Sequence, residues 1–260
     1  MTGRRFHRAI VRPPGRSFAE GLTTAGLGPP DLARALGQHA AYREALRACG
    51  LEVIELPPDE AFPDSAFVED AAVLTPRGAV ITRPGAPSRA GEVAAVRAAL
   101  LPYFPDPAAI LPPGTLDGGD VCEAGPMYFI GISGRTNEAG AGQLADWLEG
   151  RGFSARLVDI RGGSGILHLK SGMAFLGDGR MALVAALRGR PEFEGFKTVE
   201  VPPGEEDAAN CLALNGTRIA PSGRPRFSAA LRSLGGPLIE IDMSEFRKMD
   251  GGLSCLSLRF

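Results

Sequence analysis

Short runs in which apolar and polar side chains alternate recur along this sequence, and most are bounded by Gly, Pro, Asn or Asp. The pattern predicts β-strands over residues 6–12, 51–56, 71–74, 79–82, 127–132 and 155–160. Further strands are expected over 166–169, 173–176, 181–186 and 238–242, with shorter ones within 197–201, 212–214 and 218–220. Pro76-Arg77-Gly78 reads as the turn of a hairpin. Helical spacing is scarcer. Asp31 is expected to cap a helix running to 49, with Leu32, Leu36, Ala40 and Leu46 on its apolar stripe and Gly50 stopping it. Ser88 is expected to cap a helix to 101, and Asn137 another to 150 that carries Leu144, Trp147 and Leu148 on one side. A short helix fits 228–234, and Ser244 caps a last turn. Residues 16–30, rich in Gly, Pro and Thr, read as a loop.

Strand, strand, helix and strand thus follow one another at intervals of roughly 40–55 residues, too long and too helix-poor for a doubly wound sheet. No literal repeat accompanies the rhythm and no composition shift marks a linker. Residues 1–260 are therefore expected to form a single domain of similar α/β modules. The 35 Gly and 22 Pro exceed ordinary usage, which fits many tight turns and short elements. A formal charge of −2 leaves no basic field for nucleic acid. No apolar run approaches a membrane span, and Ala9-Ile10-Val11, behind the basic Met1-Thr2-Gly3-Arg4-Arg5, is too short for a signal segment. Four Cys without metal-ligand spacing suit a reducing compartment, and three scattered His are too few for a zinc cluster. The expectation is a cytoplasmic protein.

Six stretches carry candidate chemistry. Phe62-Pro63-Asp64-Ser65-Ala66-Phe67-Val68-Glu69-Asp70 sets three carboxylates among apolar residues. If the segment is extended, Asp64 and Asp70 share one face and Glu69 the other. Grouped, partly buried anions are costly unless they await a cation, and a planar guanidinium suits carboxylates; a solvated acidic loop is the plainer alternative. Arg83-Pro84-Gly85-Ala86-Pro87-Ser88-Arg89 and Gly131-Ile132-Ser133-Gly134-Arg135-Thr136-Asn137 place arginines in strand-to-helix loops, where they could clamp a carboxylate or be solvated. Acids at one end and arginines at the other would fit an amino acid with a cationic tail. Leu116-Asp117-Gly118-Gly119-Asp120-Val121 reads as a strand edge whose acid could orient an imidazole, or as a tight turn. His168, inside the predicted strand 166–169, is the candidate base among His7, His39 and His168. Asp250-Gly251-Gly252-Leu253-Ser254-Cys255 offers a thiol after a Gly-Gly turn, at the mouth of a predicted closing strand marked by Leu253, Leu256 and Leu258; a space-filling Cys would look the same.

These stretches, taken in chain order, which is the family's order, and across nearly the whole chain, resemble the dimethylarginine dimethylaminohydrolase family, within the guanidine-modifying enzymes of the pentein fold. The motifs behind the resemblance also include Ile81-Thr82-Arg83 and Leu167-His168-Leu169-Lys170-Ser171. The resemblance implies a five-bladed α/β propeller of pseudo-repeated ββαβ modules around a polar channel. It further implies Cys255 as nucleophile, His168 as general acid/base and Asp117 as the acid that orients it. Asp64, Phe67, Glu69 and Asp70 would contact the substrate, with Asp70 the preferred guanidinium partner. Arg89 and Arg135, rather than Arg83, would hold an α-carboxylate, and a lid residue and a backbone carbonyl map to Leu22 and Met249. The implied partner is a methylated arginine, with a homodimer left open, and neither metal nor organic cofactor is required.

In the implied reaction the Cys255 thiolate attacks a protonated guanidinium, His168 protonates the departing amine, and water hydrolyses the thiouronium to citrulline. A buried thiol near three carboxylates should have a raised pKa, so the bound cation is expected to ionise it. Arginine or agmatine deiminases, an amidinotransferase and a non-catalytic propeller of the same fold are the competing readings.

Overall fold

The computed structural model describes residues 4–162 and 165–260; the first three residues of the basic opening stretch lie outside them. Among the described residues, fifteen short strands pair into five three-stranded sheets, each the blade of a five-bladed propeller. In chain order the elements begin with β1 (Arg8–Val11), α1 (Leu32–Ala48) and β2 (Glu52–Glu55). Next come β3 (Ala72–Thr75), β4 (Gly78–Ile81), α2 (Val93–Leu100) and β5 (Ala108–Ala109). The third blade holds β6 (Val121–Ala124), β7 (Met127–Ile132), α3 (Glu138–Glu149) and β8 (Ser154–Asp159). The fourth holds β9 (Met173–Gly177), β10 (Arg180–Leu183) and β11 (Lys197–Glu200). The fifth holds β12 (Leu212–Leu214), β13 (Thr217–Pro221), α4 (Pro225–Ser233) and β14 (Leu238–Ile241), followed by α5 (Ser244–Arg247) and β15 (Leu258–Arg259).

Within each of the blades from the second to the fifth, the first strand pairs antiparallel with the second, which pairs parallel with the third. Parallel pairing demands a crossover, and that is what the helices supply. The fourth blade departs from the expected ββαβ module. Its crossover uses 3-10 turns at Ala185–Leu187 and Pro191–Phe193, where Gly189 has φ +73° and Pro191 follows, a stretch that cannot propagate an α-helix. The first blade is completed from both ends of the chain. β15 pairs antiparallel with β1 through Ala9↔Arg259 and Ile10↔Leu258, and β1 pairs parallel with β2.

The first strand of each module is the innermost, with β15 packing on β3, β6 on β9, and β9 on β12. Helix α1 buries Ala35, Tyr42 and Leu46 against the first and fifth blades, beside Leu253 and Leu256. Truncating a leucine packed this way costs roughly 2–5 kcal/mol. Tyr42 ends in a 2.6 Å hydrogen bond to Ser257 Oγ, which anchors the closing segment from the helix side.

Two expected caps are in place. Asp31 accepts from the Arg34 amide at 2.9 Å, and Asn137 from the Gly140 amide at 2.8 Å. Ser88 is not a cap; it lies in a 3-10 turn, Pro87–Arg89, and α2 starts later behind Glu92. Ser244 begins α5, and Asp242 accepts its amide at 2.9 Å. The strand expected over 166–169 is absent, as is a strand spanning Leu253 to Leu256; 3-10 turns, Leu169–Ser171 and Ser254–Leu256, occupy those places. The acidic segment is not extended either, folding as two such turns, Pro63–Ala66 and Val68–Ala71.

Candidate active site

Each innermost strand is preceded by a 3-10 turn: Val68–Ala71 before β3, Gly118–Asp120 before β6, Leu169–Ser171 before β9, Glu206–Ala209 before β12 and Ser254–Leu256 before β15. Neighbouring turns touch around the channel. This five-fold repeat gathers residues from far apart in the chain: Asp70 and Glu69, Asp117, His168, Asn210 and Cys255 all sit on it or directly beside it. A 3-10 turn of three or four residues projects consecutive side chains in different directions, so neighbours in sequence reach different surroundings.

Glycines make the close approach workable at two points. A Cβ on Gly118 would lie 2.0 Å from the Glu69 carbonyl oxygen, and one on Gly85 would lie 2.1 Å from the Arg135 carbonyl oxygen. The second contact seats the Arg83–Arg89 loop against the Arg135 turn.

His168 is buried, and its Nε2 lies 3.0 Å from Asp117 Oδ2. Asp117, fully buried, also accepts the Gly85 amide at 2.8 Å. Burial disfavours the imidazolium, but Asp70, the Asp117 hydrogen bond and Asp120 outweigh it and lift His168 to about 9. For Asp117, burial opposes ionisation, yet His168 and Arg89 hold its carboxyl below the usual range. Asp120 was grouped with Asp117 in the sequence, but its task differs. It accepts the Leu169 amide at 2.9 Å and the Ser133 and Thr136 hydroxyls at 2.7 Å each, fastening the segment that presents His168.

Asp70 is near enough to both the imidazole and the thiol for its charge to act on each. Its Oδ1 accepts the Gly119 amide at 2.8 Å and its Oδ2 accepts Arg89 Nη1 at 2.6 Å. Cys255 is half-buried by surface exposure, and burial, followed by the charges of Glu69 and Asp70, pushes its thiol up to about 12. Asn210, which carried no signal in the sequence, braces the thiol's turn: its side-chain oxygen accepts the Ser254 amide at 2.7 Å, and Nδ2 lies 3.1 Å from Ser254 Oγ and 3.9 Å from Cys255 Sγ.

The remaining candidate residues divide. Asp64 is buried and accepts the Leu22 amide at 3.1 and 3.2 Å; burial raises its pKa despite that bond and the nearby charges of Arg89 and Arg135. Leu22 is itself exposed, while Met249 is buried within reach of Gly21. The loop carrying Leu22 is latched by Thr23 Oγ1 to the Lys248 carbonyl at 2.7 Å and by Thr24 to Asp250. Phe67 turns its ring into the core against Phe18 and Phe246, and its carbonyl accepts from Arg89. Arg89 is not the open clamp the loop suggested. Its guanidinium is buried and bonded to Asp70, Glu92 and the Asp64 and Phe67 carbonyls. Arg135 is half-buried near Asp64, and Arg83 donates to the Gly114 carbonyl at 3.1 Å.

Glu69 is buried and bonded on both oxygens, by Lys170 at 2.6 Å and Arg259 at 2.7 Å on one, and by Ser254 Oγ at 2.8 Å on the other. Beyond it, away from Asp70, the inner strands enclose a cavity of about 970 Å³ whose lining includes Arg4, Glu123, Lys170, Arg218 and Arg259 but neither Cys255 nor His168. Among the described residues, Asp70, Asp117 and His168 bring ligand-type atoms within 4.8 Å of one another, a closeness their hydrogen bonds already explain.

No family model matches the chain. Over 256 residues, 98% of this chain and 100% of the relative, it is 44% identical to the N(G),N(G)-dimethylarginine dimethylaminohydrolase of Pseudomonas aeruginosa. A cysteine-to-serine mutant of a Pseudomonas aeruginosa protein of this kind, complexed with citrulline, superposes with a TM-score of 0.96 at 43% identity, covering 99% of this chain and 100% of that one. A dimethylarginine dimethylaminohydrolase adduct with S-methyl-L-thiocitrulline, in a histidine-to-glycine variant, gives 0.95 at 44% identity, covering 98% and 100%.

Proposed function

The chain belongs to the dimethylarginine dimethylaminohydrolase family, and we propose that it hydrolyses Nω-methylated arginine to citrulline and a methylamine through a covalent intermediate on Cys255. The observation that carries this reading is the meeting of thiol, imidazole and carboxylate around Asp70, each delivered by a different blade.

Asp70 receives the substrate's guanidinium and keeps it protonated, so its central carbon stays electrophilic. The incoming positive charge offsets the field of Glu69 and Asp70, which otherwise holds the thiol protonated, and Cys255 loses its proton to solvent. The thiolate adds to the guanidinium carbon. His168, an imidazolium at neutral pH, gives its proton to the departing amine nitrogen as the C–N bond breaks. Neutral His168, kept in orientation by Asp117, then takes a proton from water. The hydroxide adds, the C–S bond breaks, and citrulline leaves with the thiol restored. Asp64, with backbone carbonyls near Leu22 and Met249, suits the α-ammonium, and Arg135 the α-carboxylate. Arg89 supports Asp70 from behind.

We take all 260 residues as one catalytic domain working in the cytoplasm; the homodimer is a question for scattering in solution. Dimethylarginine, monomethylarginine, arginine and agmatine assayed side by side for ureido product test the substrate class. Methylated arginines should be turned over best, and Cys255→Ser should abolish turnover while still binding them. Preferential turnover of arginine or agmatine, or activity retained in Cys255→Ser, would refute the reading.

A further inference from the structure

Arg89 is gripped along both edges. Nη1 meets Asp70 at 2.6 Å, while Nε and Nη2 meet the Glu92 carboxylate at 3.0 and 2.8 Å. Glu92 is 3% exposed, directly precedes α2, and takes the Nε–Nη2 edge of Arg89 while Asp70 takes Nη1. We infer that Glu92 is a positioning residue for the reaction: by occupying the far edge of Arg89, it leaves the negative charge of Asp70 available to the substrate's cation. The inference rests on the function proposed above.

The argument is one of charge balance. Arg89 brings a single positive charge to two carboxylates, and in buried surroundings each contact is strong. With Glu92 ionised, Arg89 is already neutralised from behind and the His168 imidazolium is matched by Asp117, so Asp70 stands as excess negative charge beside Cys255. With an uncharged group at position 92, Arg89 and Asp70 close into a neutral pair and a guanidinium finds less to bind. The position of Asp70 need not change, because its Oδ1 is held by the Gly119 amide and Arg89 is held by the Asp64 and Phe67 carbonyls.

Two further observations agree. Arg12, 2% exposed and directly after β1, lies close enough to Glu92 to feel its charge, with Nε and Nη1 lacking a hydrogen-bond partner, and its carboxylate contact is Asp59 at 3.6 Å. That buried cation favours the ionised form of Glu92. Burial nevertheless pushes Glu92 up to about 7; Arg89 pulls it down, and Asp64 and Asp70 push it further up. The carboxylates around Arg89 thus repel one another, and a bound guanidinium relieves that repulsion.

Dimethylarginine and citrulline differ in side-chain charge, so their binding separates charge from shape. In the Cys255→Ser protein, calorimetry above the titration of Glu92 should show Glu92→Gln weakening dimethylarginine about tenfold and citrulline by less than about twofold. Glu92→Asp should recover most of the loss. Equal weakening of both ligands, or none, overturns the inference. A second readout needs no substrate. In ligand-free protein with Cys255 intact, the pH dependence of iodoacetamide labelling at Cys255, followed by mass spectrometry, should shift down by about one unit in Glu92→Gln, because Asp70 is then more fully neutralised. An unshifted profile overturns the inference even if the substrate proves to be something else. Failure of the parent protein to bind dimethylarginine, together with a shifted profile, would instead refute the substrate assignment alone.

Discussion

Glu69 and Asp70 are adjacent, both buried and both acidic, yet they face the two ends of the central channel under different terms. Glu69 looks toward the cavity enclosed by the inner strands and is saturated by Lys170, Arg259 and Ser254. Asp70 looks toward the imidazole and the thiol, and the arginine paired with it, Arg89, is shared with Glu92. The contrast separates two uses of a buried carboxylate. A charge matched in place by two cations is structural, and its removal strands its partners. A charge left under-matched is a receptor, and its removal is felt when a cationic ligand arrives.

The widest gap between the two should appear on exchanging each for its amide. Asp70→Asn is expected to lower kcat/KM by about a thousandfold with little change in urea midpoint. Glu69→Gln should instead cost roughly 3 kcal/mol in the urea transition, because the half-buried Lys170 and Arg259 are left without their anion. The opposite ranking in paired kinetics and denaturation would collapse the distinction.

A smaller effect concerns pH. His168 is raised from 6.5 to about 9 in the folded protein, so its contribution is fully present below the unfolded value and fades as pH rises through about 9. Denaturation at pH values across that window should show the wild type losing stability relative to His168→Asn. A constant difference would mean that Asp117 and Asp70 do not hold an imidazolium. The smallest expected effect falls on Ser254, which touches both Glu69 and Asn210. Ser254→Ala should cost about 1 kcal/mol and lower kcat several-fold while leaving KM nearly unchanged. A raised KM would move Ser254 to the substrate's side of the channel.

Much of this design could be read from the chain before its coordinates. Alternation marked most strands, and Asp31 and Asn137 announced helix starts through a local side-chain-to-amide bond that needs no tertiary context. The two-residue strand β5 is too short to alternate, and its pairing with β4 is decided by the fold. The turns that carry Cys255, His168 and Asp70 escaped for a related reason. A 3-10 turn has no amphipathic period over three residues, so Ile166 to Leu169 and Leu253 to Leu256 imitated strands, while the expected closing strand itself is present only as β15, Leu258–Arg259. Glu92 and Asn210 were invisible because each works through a partner that only folding supplies. Arg89 was visible as a loop arginine, but its orientation toward Asp70 and Glu92 depends on where the 63–66 turn lies.

The way the first blade is closed bears on the nucleophile. Because β15 completes a sheet begun by β1, the thiol three residues ahead of it is held in place by a pairing that joins the first strand to the last. A copy clipped ahead of β15 would keep the imidazole and its acids while lacking the nucleophile's anchor.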